Sequence, residues 1–423
     1  MLQVQFLREN KERVLEGLNK RNFKQTELVD EAISVDDERK KLQFNLDQNL
    51  AEMNTISKEI GLLTREGKKE EAEAAKSKTA EFKENSQDLQ VKLKDAEARL
   101  LEILYLIPNI PYEQVVAGIG ADDNEIIYQS HDVKGLGEGA IPHWELAKKY
   151  NLIDFELGVK IAGAGFPVYL GKGARLQRAL VQYFLDKNVD AGYQEVNPPH
   201  VVNEASAYGT GQLPDKEGQM YFVSEDNLYL IPTAEVPVTN IYRDVIIDEK
   251  DLPKKNTAFS QCYRREAGSY GAHVRGLNRL HQFEKVEIVR VEKPENSYPA
   301  LEGMVEHVKS ILEDLELPYR ILRLCGGDTS FAAAMTYDFE VWSAAQEKWL
   351  EVSSVSNFET FQANRLKLRF KGKDGKTQLA HTLNGSSLAL PRVLAGILEN
   401  YQTPEGIVIP DVLKPYCGFD IIN

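Results

Sequence analysis

From about Thr26 the chain falls into a regular spacing of apolar and near-apolar positions. Leu42, Leu46, Asn49, Met53, Ile56, Ile60 and Leu63 alternate by four and three residues. After a break at Thr64-Arg65-Glu66-Gly67 the spacing resumes at Ala75, Thr79, Phe82, Ser86, Leu89, Leu93, Ala96, Leu100 and Ile103. A 4,3 spacing lays one stripe of each helix against its neighbour, so two such stretches joined by a glycine-containing turn predict an antiparallel coiled-coil hairpin. With about 40 residues per helix and 1.5 Å per residue, the hairpin is an arm of roughly 55–60 Å. A hairpin of that length cannot fold back into a compact core. It must reach something, and the heptads do not say what, since most coiled coils are structural or dimerising.

Pro108-Asn109-Ile110-Pro111 halts the second helix and marks a linker. Beyond it the pattern is mixed. Helical periodicity runs through 173–190 and 299–315. Short β-rich runs fall at 228–231, 257–263, 281–291, 319–324, 349–355 and 378–383. Strands interrupted by helices predict an α+β domain around one mixed or antiparallel sheet. No period of 20–50 residues repeats. The expected division is an N-terminal helical domain over 1–107, its arm at about 26–105, and a second domain over 108–423.

Composition narrows this only a little. Hydrophobic residues make up 42% and charged residues 27% of the 423, the balance of an ordinary soluble protein. No apolar run approaches the length of a membrane span, and the mixed-charge N-terminus has no signal-peptide core. Three distant cysteines (Cys262, Cys325, Cys417) form no CxxC pair and predict a reducing cytoplasm with neither a disulfide framework nor a thiolate zinc site. The seven histidines show no HExxH-like ligand spacing. The net charge of −14 is the awkward fact, because nucleic-acid binders draw affinity from Lys and Arg against phosphates. Residues 1–105 carry 19 Lys and Arg against 22 Asp and Glu, so the arm is not a basic rod. A local cluster does stand at or near its tip: Arg65, Lys68, Lys69, Lys76 and Lys78.

Two glycine-rich stretches mislead. Gly163-Ala164-Gly165-Phe166-Pro167 lacks the third glycine of a dinucleotide loop, and Gly171-Lys172-Gly173 has neither P-loop spacing nor its Ser or Thr. Both read as turns. The segment from Cys262 to Glu287 is more informative: strand, glycine-rich loop, strand. Alternation puts Arg279, His281, Phe283, Lys285 and Glu287 on one face of the second strand, with Arg264, Glu266 and Arg275 on the rest of the hairpin. Arginines, an aromatic ring and carboxylates on one hairpin supply what a nucleotide needs: cations for phosphates, a ring for the base, and acceptors for its amino group.

At this hairpin the chain resembles the class II aminoacyl-tRNA synthetases of the seryl type. Arg264, Glu266 and Phe283 match the family's second motif; Gly192-Tyr193-Gln194-Glu195-Val196-Asn197-Pro198-Pro199 is similar to its first. The run His381–Arg392, with Asn384-Gly385-Ser386-Ser387 inside it, matches the third. The serine type resembles this chain further at Thr233-Ala234-Glu235, Gly209-Thr210-Gly211-Gln212-Leu213-Pro214, Glu351-Val352-Ser353-Ser354, and the opening Leu7-Arg8-Glu9-Asn10 with the hairpin after it. The likeness covers essentially the whole chain, and the class I signatures HIGH and KMSKS are absent. Departures from the usual pattern are Arg265, Ala272-His273, and Ser387 with Leu390-Pro391.

The resemblance implies a mainly antiparallel catalytic sheet flanked by helices. It implies ATP with Mg²⁺ and no other cofactor, and L-serine and tRNA(Ser) as substrates, with tRNA(Sec) where an organism has one. It also implies a homodimer formed through the first motif. In the two-step reaction serine's carboxylate attacks the α-phosphorus of ATP, and the tRNA's terminal ribose hydroxyl then attacks the adenylate. Arg264 would hold the α-phosphate and the serine carboxylate; Arg264 and Arg392 would be the catalytic pair. Arg265, Glu266, Arg279, Phe283, Glu351, Val352, Ser353, Ser354 and Arg392 would bind ATP, with Glu351 and Ser354 on Mg²⁺. Thr233, Ala234, Glu235, Glu287, Asn384 and Ser386 would bind serine, and Arg65, Lys68, Lys69, Lys76 and Lys78 would meet tRNA. The alternatives left open are an amino acid:carrier-protein ligase on the same fold, another class II synthetase, and a non-catalytic coiled-coil RNA-binding protein.

Overall fold

The computed structural model describes residues 1–130, 133, 136, 139–215, 217–266 and 275–423, so Ala272 and His273 of the expected loop lie outside the described residues. By its contacts the chain divides into two compact units. One is Met1–Leu18 with Phe23–Pro108, and the other is Asn19–Asn22 with Asn109–Asn423. Among the described residues no helix is long and apolar enough to cross a membrane.

The first unit is dominated by helices α1 (Leu28–Arg65) and α2 (Lys69–Leu106), each of 38 residues. They run antiparallel: Arg99 near the end of α2 reaches Glu31 near the start of α1, and Asn85 in mid-α2 donates to Asn49. Every heptad position named above is buried or half-buried, which is what a continuous seam requires. Near its middle the seam turns polar. Asn49 Nδ2 donates to the Phe82 carbonyl at 2.7 Å and to Ser86 Oγ at 2.6 Å, and Asn85 returns a bond to Asn49 Oδ1 at 3.1 Å. A buried Asn pairs in one alignment only, so this layer fixes the register of an otherwise slippery seam. The hairpin turns at Gly67, whose φ of 76° is left-handed and open to glycine without strain. Helix α2 stops at Leu106, two residues before Pro108.

The second unit is built on an eight-stranded sheet. Its strands are β1 (Glu125–Gln129), β2 (Gln194–Glu195), β3 (Lys254–Tyr263), β4 (Gln282–Glu292), β5 (Tyr319–Arg323), β6 (Met335–Ser343), β7 (Lys348–Asn357) and β8 (His381–Ala389). Their order is β1-β5-β6-β7-β8-β4-β3-β2. All pairings are antiparallel except β2 with β3. Helices α3 (Gly171–Asp190), α4 (Ser297–Asp314) and α5 (Leu390–Asn400) supply the apolar cover. Leu176, Leu180 and Phe184 recur along one face of α3; Leu301, Met304, Val308 and Leu312 do so on α4. With Phe339 of β6 and Val393 and Ile397 of α5 they form one core.

The expected runs match observed elements within a few residues, with exceptions: β1 falls outside them, and Gly171-Lys172-Gly173, expected as a turn, opens α3. The run 378–383 spans a break between a short strand, Thr377–Leu379, and β8. Strand β6 lies outside all the expected runs. Its Met335-Thr336-Tyr337 start follows Ala332-Ala333-Ala334, which dilutes the local β signal, and its place between β5 and β7 comes from pairing with distant partners.

Candidate active site

Strands β3, β4, β7 and β8 and the N-terminal end of α5 surround a cleft of about 300 Å³. Arg264 and Glu266 leave the end of β3, and Arg279 and Phe283 enter from the segment before β4 and from its first residues. Glu351, Val352, Ser353 and Ser354 come from β7, Ser386 from β8, and Arg392 from the first turn of α5. The strand registers explain the convergence. Phe283 stands opposite Cys262, two residues before Arg264, and Glu287 stands opposite Ser386. A register shift between Phe339 and Glu340 of β6 leaves Val352 of β7 unpaired there, beside Glu351.

Backbone carbonyls and carboxylates hold the cations in place. Arg264 donates to the Pro232 carbonyl at 3.4 Å, and its guanidinium lies 5.3 Å from the centroid of the Phe283 ring. Arg279 Nε pairs with Glu266, whose backbone sits at φ 48°, a left-handed conformation that costs a non-glycine residue roughly 1 kcal/mol or more. Arg392 donates from Nη1 to the Glu351 carbonyl at 2.8 Å and from Nε to the Asn278 carbonyl at 3.0 Å, with the Glu351 carboxylate 3.7 Å away. Two backbone carbonyls therefore aim this arginine and leave its charge available to a ligand.

Beside the cleft lies a buried polar cluster that shares Lys285 and Ser386 with it. Glu287, 1% exposed, pairs with Lys285 Nζ at 2.8 Å and accepts from Thr233 Oγ1 at 3.3 Å and Ser386 Oγ at 3.4 Å. Glu235, two residues beyond Thr233, accepts from Gln362 Nε2 at 2.6 Å. Burial and the nearby Glu287 push the Glu235 carboxyl up to about 7, against the Gln362 hydrogen bond and the charges of Lys285 and Arg264. Ala234 is fully buried, and Asn384 is buried on β8 three residues from Ser387.

Of the ATP- and serine-site residues that the resemblance implies, ten line the cleft: Arg264, Glu266, Arg279, Phe283, Glu351, Val352, Ser353, Ser354, Ser386 and Arg392. Thr233 and Glu235 join the polar cluster through Glu287 and Gln362. Arg265 is exposed and does not line the cleft; its backbone N–H donates to the Gln219 carbonyl at 2.9 Å. The alternation placing His281 beside Arg279 and Phe283 is corrected. His281 precedes the first residue of β4, stacks on Phe166 with ring centroids 5.5 Å apart, and bonds Tyr221 OH through Nδ1 at 3.0 Å. Strand periodicity does not hold outside the strand. Gln362, Asn278 and Leu277 carry no charge or aromatic ring that marks them in the sequence, and their roles come from distant neighbours.

The five arm residues, Arg65, Lys68, Lys69, Lys76 and Lys78, are all exposed. Lys68 pairs with Glu66 at 2.9 Å and Lys76 with Glu73 at 2.8 Å.

Comparison with known proteins gives a consistent result. Residues 1–111 match the family described as seryl-tRNA synthetase N-terminal domain, and residues 221–401 match the tRNA synthetase class II core domain (G, H, P, S and T). A serine–tRNA ligase of Salinibacter ruber is 50% identical over 99% of this chain and 98% of its own length. One from Chlorobaculum parvum is 47% identical over the full length of both. Among solved structures, a seryl-tRNA synthetase from Pyrococcus horikoshii complexed with ATP superimposes with a TM-score of 0.92 at 32% identity, covering 100% of this chain and 99% of that one.

Proposed function

The chain belongs to the seryl-tRNA synthetases, and on that premise we propose how its residues share the work of a serine–tRNA ligase. The observation that carries the proposal is the cleft itself. Arg264 and Arg392 both line it and donate to backbone carbonyls, and Lys285 and Ser386, which also line it, bond the buried Glu287.

ATP occupies the cleft. Phe283 offers a ring to the adenine and Arg392 the opposite cover, with Arg279 near the terminal phosphate and Glu266 accepting from the adenine amino group. Arg264 holds the α-phosphate and the serine carboxylate, and neutralises charge as it builds between them. Little covalent chemistry falls to the protein in phosphoryl transfer of this kind, so positioning and charge placement supply the acceleration. Glu351 and Ser354 put a carboxylate and a hydroxyl on the cleft wall, and Oδ1 of Asp338, the register partner of Ser354, is buried with no hydrogen-bond partner among the described residues. An all-oxygen set of this kind fits magnesium, which, bound with ATP, neutralises phosphate charge.

Serine enters the polar cluster with its ammonium group toward Thr233 and Glu235. Its hydroxyl goes toward Glu287, Ser386 and Asn384. Alanine would leave these buried groups unpaired, and sites built to bond a hydroxyl reject the analogue lacking it by roughly 10⁴–10⁵. The hairpin arm holds tRNA by shape and backbone contacts, with the basic residues near its tip, as is usual for helical RNA. The functional unit is a homodimer formed through the Gly192–Pro199 region, the arm of one subunit serving the site of the other. Three unpaired, buried cysteines suit a cytoplasmic enzyme.

The test is calorimetric titration with two non-hydrolysable adenylate mimics, the sulfamoyl analogues of seryl- and alanyl-adenylate. Tight binding of the seryl compound, lost in Arg264→Ala and Glu287→Gln, supports the assignment. Equal affinity for both compounds would overturn the serine pocket.

A further inference from the structure

Behind the cleft lies a polar cluster that none of the roles above uses. His143 and Glu399 are both fully buried, and Glu399 sits on α5 seven residues after Arg392. His143 Nδ1 donates to Glu399 Oε1 at 2.7 Å, and the His143 backbone N–H donates to the same oxygen at 3.0 Å. Glu399 Oε2 accepts from Ser343 Oγ and from the Ala345 N–H. Burial alone would push the Glu399 carboxyl up; the hydrogen bonds from His143 and Ser343 outweigh it, and the group lies below its ordinary value.

The other ring nitrogen meets the segment before β4. The Leu277 N–H donates to His143 Nε2 at 2.8 Å, which assigns the ring proton to Nδ1. Leu277 and Asn278 line the cleft, and the Asn278 carbonyl is one of the two that aim Arg392. Gln346 ties the same groups together, accepting from Asn278 Nδ2 at 2.9 Å and donating to Glu399 Oε1 at 3.1 Å. The approach is close enough to dictate sequence: a Cβ on Gly276, at φ +65°, would stand 2.3 Å from His143 Nε2. Arg275 lies over the ring of Trp144, 4.7 Å from its centroid, so two consecutive residues grip the returning end of the hairpin.

We propose that His143 and Glu399 are positioning residues for the nucleotide cleft, joining the helix that carries Arg392 to the segment whose carbonyl aims it. The contacts close a circuit. Glu399 fixes one end of α5, His143 fixes Leu277 to Glu399, and Asn278 returns to Arg392 at the other end of α5. The fully buried carboxylate is the partner that lets one neutral imidazole accept from a backbone N–H while donating behind it. The proposal rests on the cleft being the ATP site.

The experiment is serine-dependent pyrophosphate exchange, measured for the wild type and for His143→Ala, His143→Gln and Glu399→Gln, with KM determined separately for ATP and serine. Misplacing a charge-bearing side chain by a fraction of an ångström is expected to raise KM for ATP about tenfold or more in His143→Ala and Glu399→Gln. KM for serine should stay within about twofold, since Glu235 and Glu287 are not on this circuit. Gln at 143 can accept from Leu277 and donate to Glu399, so it should restore most of the ATP effect. If His143→Ala does not fold, Glu399→Gln and His143→Gln carry the comparison. Unchanged KM for ATP in the folded variants, or a parallel rise for both substrates without rescue by Gln, would overturn the proposal. A wild type without serine-dependent exchange would instead overturn the reading of the cleft.

Discussion

In the arm, Lys92 reaches Asp88 one helical turn away at 2.7 Å, and both side chains are more than half exposed. In the catalytic unit, Lys285 reaches Glu287 at 2.8 Å, with side chains 8% and 1% exposed. The two pairs have nearly the same length and opposite meanings. The first stands in water, where such a pair contributes about 1 kcal/mol or less and salt weakens it. The second has been taken out of water, where removing one partner leaves an uncompensated charge and costs about 3–5 kcal/mol. The arm builds a seam and pairs its charges in water, where a partner can compete for them; the catalytic unit ties its charges to one another and to the backbone out of water. Function in the arm should therefore survive single changes that destroy it in the cleft.

The largest expected separation is at Arg264. Replacement by Ala should lower serine-dependent pyrophosphate exchange by about 10³-fold, the scale set by losing a preorganised charge at a reacting centre. A drop below tenfold would mean that Arg264 does not touch the reacting atoms. Next comes the seam of the arm. Leu93→Ala deletes a buried contact with Leu46 and Leu89, and should cost about 2–3 kcal/mol locally, seen as faster amide hydrogen exchange in α1 and α2. Pyrophosphate exchange without tRNA should not change; a matching loss would erase the contrast between the two regions.

The third effect is one of pH. With Glu235 titrating near 7, its ionised form, the one that binds an ammonium group, becomes populated as pH rises. KM for serine should fall about tenfold between pH 6 and pH 8, then level off. Glu235→Gln should raise KM and flatten the profile, and a flat wild-type profile would remove Glu235 from the serine pocket. The smallest effect belongs to the arm tip. Replacing Lys68 and Lys69 together by Ala should weaken tRNA charging about three- to tenfold at low salt, less at higher salt, and leave adenylate formation intact. Equal loss in both steps would remove these two lysines from the tRNA surface.

The same contrast explains what could be read from sequence. The seam was legible because every contact lies three or four residues from the next, and its one polar layer, Asn49 with Ser86, still kept the spacing. The hairpin was legible because Arg264, Glu266, Arg279 and Phe283 sit close together in sequence. Strand β6 was not, since its identity as a strand comes from pairing with β5 and β7 rather than from its own run. Gln362 could not be found either: it reaches Glu235 across 127 residues, from a short helix with no motif. His143 and Glu399 stand 256 residues apart and meet only once α5 is packed. His281 misled for the opposite reason, because alternation was extended past the end of the strand that sustains it.

The most direct measurement is amino-acid-dependent exchange of labelled pyrophosphate into ATP in the absence of tRNA, with serine, alanine, threonine, glycine and cysteine offered in turn. Strong exchange with serine alone is the expected result, because the proposed site offers buried hydrogen-bonding groups to a hydroxyl that alanine and glycine lack. Exchange with another of the five, or with none, would contradict the assignment.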